Sequence, residues 1–213
     1  MVRQFDIITE ADARRIEAGT SVELRAGGHV TPLAADTLKA RRVTVVPAGS
    51  IDPALPADLA PPAPVRRVVI ASDHTGVALR AAIIAHLRAN GVAVEDVGPE
   101  TTTPVDYPDT ASSVARAVAR GQADAGIAID GAGIGSAIAA NKVRGVRAAM
   151  CTDETLARYS REHNGANVLT LGSMLLPDTA AALRIVDVWL ATPMKEARYI
   201  RRLLKIRRLE EQG

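Results

Sequence analysis

The sequence predicts an α/β fold: a three-layer α/β/α, Rossmann-like domain on a five-stranded parallel sheet, preceded by a small α+β segment. Two observations predict the large domain. From about residue 65 onward, short apolar runs alternate with helical stretches, the pattern of βα units. The apolar residues are also almost all aliphatic, because aromatic residues make up 2% of the chain, and aliphatic runs suit strands buried on both faces.

The leading segment, residues 1–46, has its own elements. Its predicted helices are 10–17 and 32–40, each behind a threonine that can cap it, and its predicted strands are 21–25 and 42–46. Gly27 and Gly28 predict a turn after the first strand. Residues 47–64 then hold six prolines and five alanines without a helical or strand period, which predicts a semi-rigid linker.

The large domain, residues 65–213, contains five predicted strands. They are 68–71, 92–96, 125–129, 148–151 and 168–171. The predicted helices that connect and follow them are 77–90, 112–120, one opened by the glycine-rich stretch after 129, 153–163, 179–190 and 195–209. Such a sheet binds its ligands beyond the carboxyl ends of its strands, so the residues that follow each strand are the candidates for chemistry.

Two polar stretches lie at such positions. Residues 72–76, Ser-Asp-His-Thr-Gly, follow the first strand, and a helix cap would explain Asp73 but not His74. Residues 130–135, Asp-Gly-Ala-Gly-Ile-Gly, follow the third strand and open a helix, so their amides could hold an anion. A simple tight turn is the alternative, and the glycine spacing is not the dinucleotide-binding pattern.

Composition narrows the classes of function. The 26 Lys and Arg against 24 Asp and Glu leave a formal charge of +2, too small to indicate a nucleic-acid binder. The single cysteine excludes an intramolecular disulfide framework and fits a reducing compartment. The N-terminus lacks an apolar signal region and no stretch is long enough to cross a membrane, so we expect a cytoplasmic protein with no membrane partner.

Five motifs together resemble the ribose-5-phosphate isomerase B and galactose-6-phosphate isomerase subunit family of sugar-phosphate isomerases. The motifs are ASDHTG at 71–76, VDYPD at 105–109, GAGIGSAIAANKVRGVRAAMC at 131–151, REHNGANVLTLGS at 161–173 and ARYIRRLLKI at 197–206. The resemblance covers about two thirds of the chain, with the motifs in the family's order. It implies aldose–ketose interconversion of a phosphorylated sugar through an enediolate, without metal or organic cofactor.

The resemblance also implies roles for single residues. His163 matches the histidine that opens the sugar ring, and Arg198 and Arg202, one helical turn apart, match arginines that bind the phosphate. The implied sugar and anion contacts are Asp73, His74, Tyr107, Gly131, Gly133, Gly135 and Asn164. The family forms homodimers, or dimers of dimers, in which two subunits share each active site, so the arginines are expected to reach into a neighbouring subunit.

The sequence departs from the family at the candidate site. Asp130 stands where many members have a catalytic cysteine, and Ser136 where others have a glutamate. Burial could make Asp130 the base, whereas hydrogen bonding to the loop amides or to sugar hydroxyls is the alternative. Ala132, Met174 and Tyr199 replace a threonine, an arginine and a histidine of the family, which leaves the sugar open: a tetrose, deoxy or branched sugar phosphate fits equally well.

Residues 5–46 resemble the short leading segment of some bacterial microcompartment enzymes, including ethanolamine-type cobalamin adenosyltransferases. The resemblance implies recruitment to a shell or partner enzyme inside a microcompartment; an accessory unit that packs on its own dimer is the alternative. Two other functions stay open for the whole chain. A catalytically altered family member could bind a sugar phosphate as a sensor or scaffold, and the basic last helix could bind nucleic acid, although a phosphate-binding role needs fewer assumptions.

Overall fold

The computed structural model describes residues 4–48, 59–62, 64–100, 102–194 and 197–212, with only the backbone at 197 and 198. Most of the predicted linker, residues 49–58 and 63, therefore lies outside the described residues. The chain forms two compact units. The N-terminal unit consists of residues 1–59 with residues 195–204, and the larger unit consists of residues 60–194 with residues 205–213.

The N-terminal unit contains a three-stranded parallel sheet and two helices. The elements are β1 (Gln4–Ile8), α1 (Glu10–Arg15), β2 (Ser21–Val30), α2 (Pro32–Ala40) and β3 (Thr44–Pro47), and the sheet order is β1-β2-β3. Thr9 caps α1 as predicted, since its side chain accepts a hydrogen bond from the amide of Asp12 and the Asp12 side chain bonds back. The elements thus alternate along the chain as two successive βα units.

Three sequence expectations for this unit were wrong. Thr31 directly precedes α2, but its side chain makes no capping hydrogen bond. Residues 4–8 were not predicted as a strand, and the pair Gly27 and Gly28 lies inside β2 and not in a turn. Gly27 has φ +79°, and a Cβ at Gly28 would lie 2.6 Å from the carbonyl oxygen of Asp6. The register between β1 and β2 shifts between Phe5 and Ile7. The glycines therefore form an irregularity that lets β2 continue beside β1.

The larger unit is the predicted α/β/α domain. Its strands are β4 (Arg67–Ser72), β5 (Ala93–Asp96), β6 (Ala125–Asp130), β7 (Ala148–Met150) and β8 (Val168–Gly172). Its helices are α3 (Val77–Ala89), α4 (Tyr107–Ala119), α5 (Ile134–Ala140), α6 (Glu154–Glu162), α7 (Thr179–Ala191) and α8 (Ala197–Gln212), of which residues 197–204 belong to the N-terminal unit. All five strands are parallel, in the order β5-β4-β6-β8-β7.

Both faces of this sheet are covered by apolar packing. Along β4, Val68 and Ile70 join one buried cluster with residues of α3 and α7, whereas Val69 and Ala71 join a second cluster with residues of α4. Alternate residues of a strand point to opposite faces, so the two clusters are the two sides of a three-layer structure. The predicted fold class is confirmed, and the aliphatic composition follows from burial on both faces.

Strand order determines where a ligand can enter. From β4 the chain crosses first to β5 on one side, and then returns to β6 on the other side of β4. The connections on either side of β4 and β6 therefore diverge and leave a crevice at the carboxyl ends of these two strands.

Candidate active site

Two buried aspartates lie at the crevice between β4 and β6. Asp73 follows β4 directly, Asp130 is the last residue of β6, and the amide of Asp73 donates to the carbonyl oxygen of Ile129 at 2.9 Å. Both aspartates are less than a tenth exposed. The strand pairing thus brings together the two polar stretches that the sequence singled out, although Asp73 and Asp130 are 57 positions apart in the chain.

The loop after β4 holds its side chains by local hydrogen bonds. Asp73 Oδ1 accepts from the amide of Thr75 at 2.8 Å and from its hydroxyl at 2.5 Å. His74 Nδ1 accepts from the amide of Val105 at 3.4 Å. Because an amide can only donate, a neutral His74 carries its proton on Nε2, which leaves that nitrogen as a donor.

The glycine loop after β6 wraps around the carboxylate of Asp130. Oδ1 accepts from the amides of Ala132, at 2.8 Å, and Gly133, and Oδ2 accepts from the amide of Ser136 at 2.7 Å. Of the two arrangements that the sequence left open for Asp130, the structure therefore contains the bonds to loop amides. The Gly133 amide is directed at Asp130, so it is not directed at a ligand.

This arrangement limits what Asp130 can do chemically. A carboxylate has about four lone-pair positions, and three of them accept amide hydrogens in this loop. The remaining position, on Oδ2, can accept one proton. Among the described residues, these three amide bonds alone fix the orientation of the carboxylate, and no side chain contributes.

Glycines make this loop possible. Gly133 has φ +77°, and a Cβ there would lie 2.8 Å from the backbone carbon of Leu171 and 2.9 Å from the amide nitrogen of Gly172. At Gly135 a Cβ would lie 2.5 Å from the Tyr107 ring, so Tyr107 packs directly on the glycine. At Gly131 the nearest atom would be the sulfur of Met174 at 3.3 Å, which belongs to a flexible, exposed side chain.

We expect Gly133→Ala to lower the free energy of unfolding by about 2–4 kcal/mol, because it combines a left-handed backbone with contacts against backbone atoms that cannot move away. Gly131→Ala is the matched control, with an expected cost below about 1 kcal/mol because Met174 can turn aside. Urea unfolding of both variants measures the difference. Equal losses in the two variants would show that the loop does not depend on the conformation of Gly133.

The opposite wall of the loop comes from the residues after β8. The amide of Ser173 donates to the carbonyl of Asp130 at 2.8 Å, and its hydroxyl lies 3.2 Å from that of Thr75. The Met174 amide donates to the carbonyl of Gly131 at 3.0 Å, while the Met174 side chain is 76% exposed. At the position where the resemblance implies an arginine, this chain thus presents a neutral thioether beside the glycine loop.

His163 and Asn164 lie at the amino ends of the strands, on the side of the sheet opposite to the crevice. Helix α6 joins the parallel strands β7 and β8, so it begins at the carboxyl edge and ends at the amino edge. His163 follows α6, and its ring stacks on Tyr159 with 4.6 Å between centroids. Asn164 lines a cavity of about 410 Å³ together with Arg147 at the start of β7. A single chain therefore does not bring His163 and Asn164 to Asp130.

The two predicted phosphate-binding arginines are in α8. The Arg198 side chain lies outside the described residues. Arg202 is exposed, and its guanidinium carbon lies 5.5 Å above the ring centroid of Tyr199, which is buried. Both arginines belong to the part of α8 that groups with the N-terminal unit.

Sequence reasoning missed Arg80 of α3. Its guanidinium is buried, donates to Ser72 Oγ at 3.1 Å and to the Pro99 carbonyl at 2.5 Å, and pairs with Asp96 at 3.3 Å. Arg80 thus ties the end of β4 to the segment after β5 that leads to Tyr107. The sequence could have predicted the burial of Arg80, because Arg80 lies on the same face of the helix as the buried Ile83, Ile84 and Leu87.

Two further side chains complete the description of polar groups near the sheet. The hydroxyl of Ser136 is buried without a hydrogen-bond partner among the described residues. Cys151 follows β7, and burial raises the pKa of its thiol to about 11. The thiol is therefore protonated at neutral pH and is a poor nucleophile.

Within the described ranges, no cluster of His, Cys, Asp and Glu has the arrangement of a metal site. None of the described helices is long and apolar enough to span a bilayer.

Comparison with known proteins agrees with this geometry. Residues 68–206 match the family model described as Ribose/Galactose Isomerase. Ribose-5-phosphate isomerase B of Escherichia coli is 41% identical over 146 residues, which are 68% of this chain and 97% of that protein. Two solved structures superpose on the same region. The Clostridium thermocellum ribose-5-phosphate isomerase B has 44% identity and a TM-score of 0.67, and covers 68% of this chain and 98% of its own.

The second structure is ribose-5-phosphate isomerase B of Mycoplasma genitalium with bound ribulose-5-phosphate. It has 40% identity and a TM-score of 0.66 over 69% of this chain and 97% of its own. The fold, the crevice and these relatives show the class of enzyme. It is an aldose–ketose isomerase, that is, an intramolecular oxidoreductase acting on a sugar phosphate. The chain belongs to the ribose/galactose isomerase family.

Proposed function

We propose that this chain interconverts an aldose phosphate and a ketose phosphate of the ribose 5-phosphate and ribulose 5-phosphate type, with Asp130 as the base. The observation that carries the proposal is the position of Asp130. It is a buried carboxylate at the crevice of the parallel sheet, oriented by three amides and with one lone-pair position open. The ribulose-5-phosphate in the Mycoplasma genitalium relative supports the substrate class.

The proposed reaction needs one proton to move between neighbouring carbons. Asp130 removes the proton from C2 of the open-chain aldose, the C–H electron pair forms the C1=C2 bond, and the carbonyl oxygen becomes the enediolate oxygen. Returning that proton to C1 restores the carboxylate and, as O2 gives up its hydroxyl proton and O1 takes one up, re-forms a carbonyl at C2, so no cofactor or redox partner is consumed. The Nε2 donor of His74 is suited to hydrogen-bond an oxygen on which negative charge develops.

Ring opening and phosphate binding are assigned to residues of a second subunit. His163 and Asn164 lie at the opposite sheet edge of the same chain, so a site that contains them together with Asp130 requires two chains. Exposed Ile134 and Ile138, one turn apart on α5 directly after the glycine loop, favour such an interface because association would remove apolar surface from water. We propose a homodimer, or a dimer of dimers, with shared sites.

Phosphate affinity in this proposal comes from Arg198 and Arg202, which can make charge-assisted hydrogen bonds to phosphate oxygens. Met174 contributes no charge beside the glycine loop, where the family has an arginine. The proposed substrates therefore include sugar phosphates that are shorter than ribose 5-phosphate or differently substituted.

One observation favours a second function. The amide bonds around Asp130 would also suit a residue that only shapes the loop, in which case the chain binds a sugar phosphate as a sensor or scaffold component. The two functions differ in whether carbon-bound hydrogen is exchanged with solvent.

We expect the protein to isomerise at least one phosphate in a panel of tetrose, pentose and hexose phosphates, with deuterium entering the product carbon from deuterated water. Exchange follows because a carboxylate that holds the proton between the two carbons can trade it with solvent. Proton NMR measures both product and isotope. Saturable binding without isomer or deuterium uptake across the panel would support the sensor function and reject the isomerase.

The division of the chain by function remains a proposal. Residues 65–213 would carry catalysis, 47–64 would act as a spacer, and 1–46 would recruit the enzyme to a microcompartment shell or partner enzyme, as their resemblance implies.

A further inference from the structure

The sheet of the N-terminal unit has its two helices on one face. The order β1-β2-β3 means that both crossovers step in the same direction, and crossovers between parallel strands are right-handed. Helices α1 and α2 therefore cover the same face. Their buried residues Ala13, Ala34 and Leu38 accordingly share one apolar cluster with Val22 of β2.

The opposite face of this sheet is covered as well. Glu23 follows Val22 in β2, so its side chain points away from the two helices. It is nonetheless only 1% exposed, and one of its carboxylate oxygens accepts from Gln4 Nε2 at 2.7 Å. A carboxylate on a helix-free, open sheet face would be in water, so another segment of the chain lies over it.

The first half of α8 is suited to be that segment. Residues 195–204 group with the N-terminal unit, whereas residues 205–213 group with the larger unit. Within this half, Tyr199 and Leu203 are one turn apart and are 4% and 1% exposed, while Arg201 and Arg202 are exposed. One side of the half-helix is thus buried and the other carries cations to solvent.

Tyr199 connects this packing to Arg202. The Arg202 guanidinium lies over the Tyr199 ring at 5.5 Å, a geometry in which the ring face attracts the cation. The position of the ring, which burial fixes, therefore influences the position of the guanidinium.

We propose that the N-terminal unit positions the phosphate-binding half of α8, and that Tyr199 and Leu203 are the positioning residues through which it does so. The proposal rests on the proposed function, since phosphate binding by Arg202 is part of it. In this role the unit tunes affinity for the phosphate, whether or not it also recruits the enzyme to a partner.

The test is the steady-state kinetics of Leu203→Ala in the full-length chain, with whichever sugar phosphate the native protein isomerises. We expect KM to rise on the order of tenfold with kcat changed less than about twofold, because a displaced arginine weakens substrate and transition state alike. A loss of folded protein would instead lower the apparent kcat at constant KM. Leu33→Ala is the matched control, since Leu33 of α2 is 60% exposed in the same unit and its loss should change neither constant.

Two companion variants separate this inference from the proposed function. Arg202→Ala measures the phosphate contact itself: a raised KM there with an unchanged KM in Leu203→Ala overturns the positioning role and leaves the isomerase intact. An unchanged KM in Arg202→Ala overturns the phosphate contact and the positioning role together. Tyr199→Ala should raise KM, and Tyr199→Phe should restore it, because phenylalanine keeps the ring under the guanidinium.

Amide hydrogen exchange of the native chain tests the same packing without any substitution. We expect residues 199–204 to open in the same cooperative event as residues 21–24 of β2, with equal free energies of opening across a denaturant series. Exchange of 199–204 together with β6 of the larger unit, or faster than both, would overturn the proposal even if Leu203→Ala failed to fold.

Discussion

If Asp130 is the proposed base, we expect Asp130→Asn to lower kcat/KM by about 10²- to 10⁴-fold, the usual cost of losing a general base. Two effects combine. The amide of asparagine cannot take up the proton from C2, and its NH₂ group would face the Ser136 amide, which donates to Oδ2 in the native loop. Two donors then oppose each other, so the loop itself also loses stability.

A cysteine variant separates these two effects. Cysteine resembles the family's base but cannot accept the three amide hydrogen bonds that Asp130 accepts. If residue 130 is the base, Asp130→Cys retains a larger kcat than Asp130→Asn, although its loop is anchored less well. If residue 130 only anchors the loop, asparagine is the better replacement because its oxygen keeps two of the bonds. Measuring sugar-phosphate isomerisation and urea unfolding of both variants shows which of the two replacements retains more activity and which retains more stability.

Mixing two inactive variants restores activity if the sites are shared between subunits. Asp130→Asn and His163→Ala should each retain less than about 1% of native kcat/KM, because each removes an acid–base group. Refolded together, they form heterodimers in which one of the two sites contains both native residues. Random association makes half of the dimers mixed, so the mixture should reach roughly a quarter of native activity.

The matched control uses two residues from one edge of the sheet. Asp73 and Asp130 lie together at the crevice between β4 and β6, so an Asp73→Asn and Asp130→Asn mixture contains no intact site and should stay inactive. If the Asp130→Asn and His163→Ala mixture instead shows no more activity than the two variants measured separately, each chain works alone. The measurement thereby tests the positions of the two residues at opposite edges directly.

Local patterns were sufficient to predict the large domain. Each of its five strands was found in the sequence. The three central strands β4, β6 and β8 are buried on both faces, so they are largely apolar runs that differ from the amphipathic helices around them. The family was confirmed from the same residues. The N-terminal unit was predicted less well from the sequence, since β1 was missed. The glycine pair in β2 predicted a turn instead, because turns and β-bulges both use glycine.

The candidate site likewise has features that the sequence predicted and features that only the structure revealed. The sequence by itself determined the class of enzyme, and it predicted that Asp73, His74 and Asp130 lie together, since they follow strands whose carboxyl ends must meet. Only the tertiary structure decided what Asp130 faces, because its three amide partners depend on the left-handed backbone at Gly133. Only strand order shows that His163 lies at the other edge, and only packing shows that Tyr199 is buried, since both depend on contacts between residues that are distant in the chain.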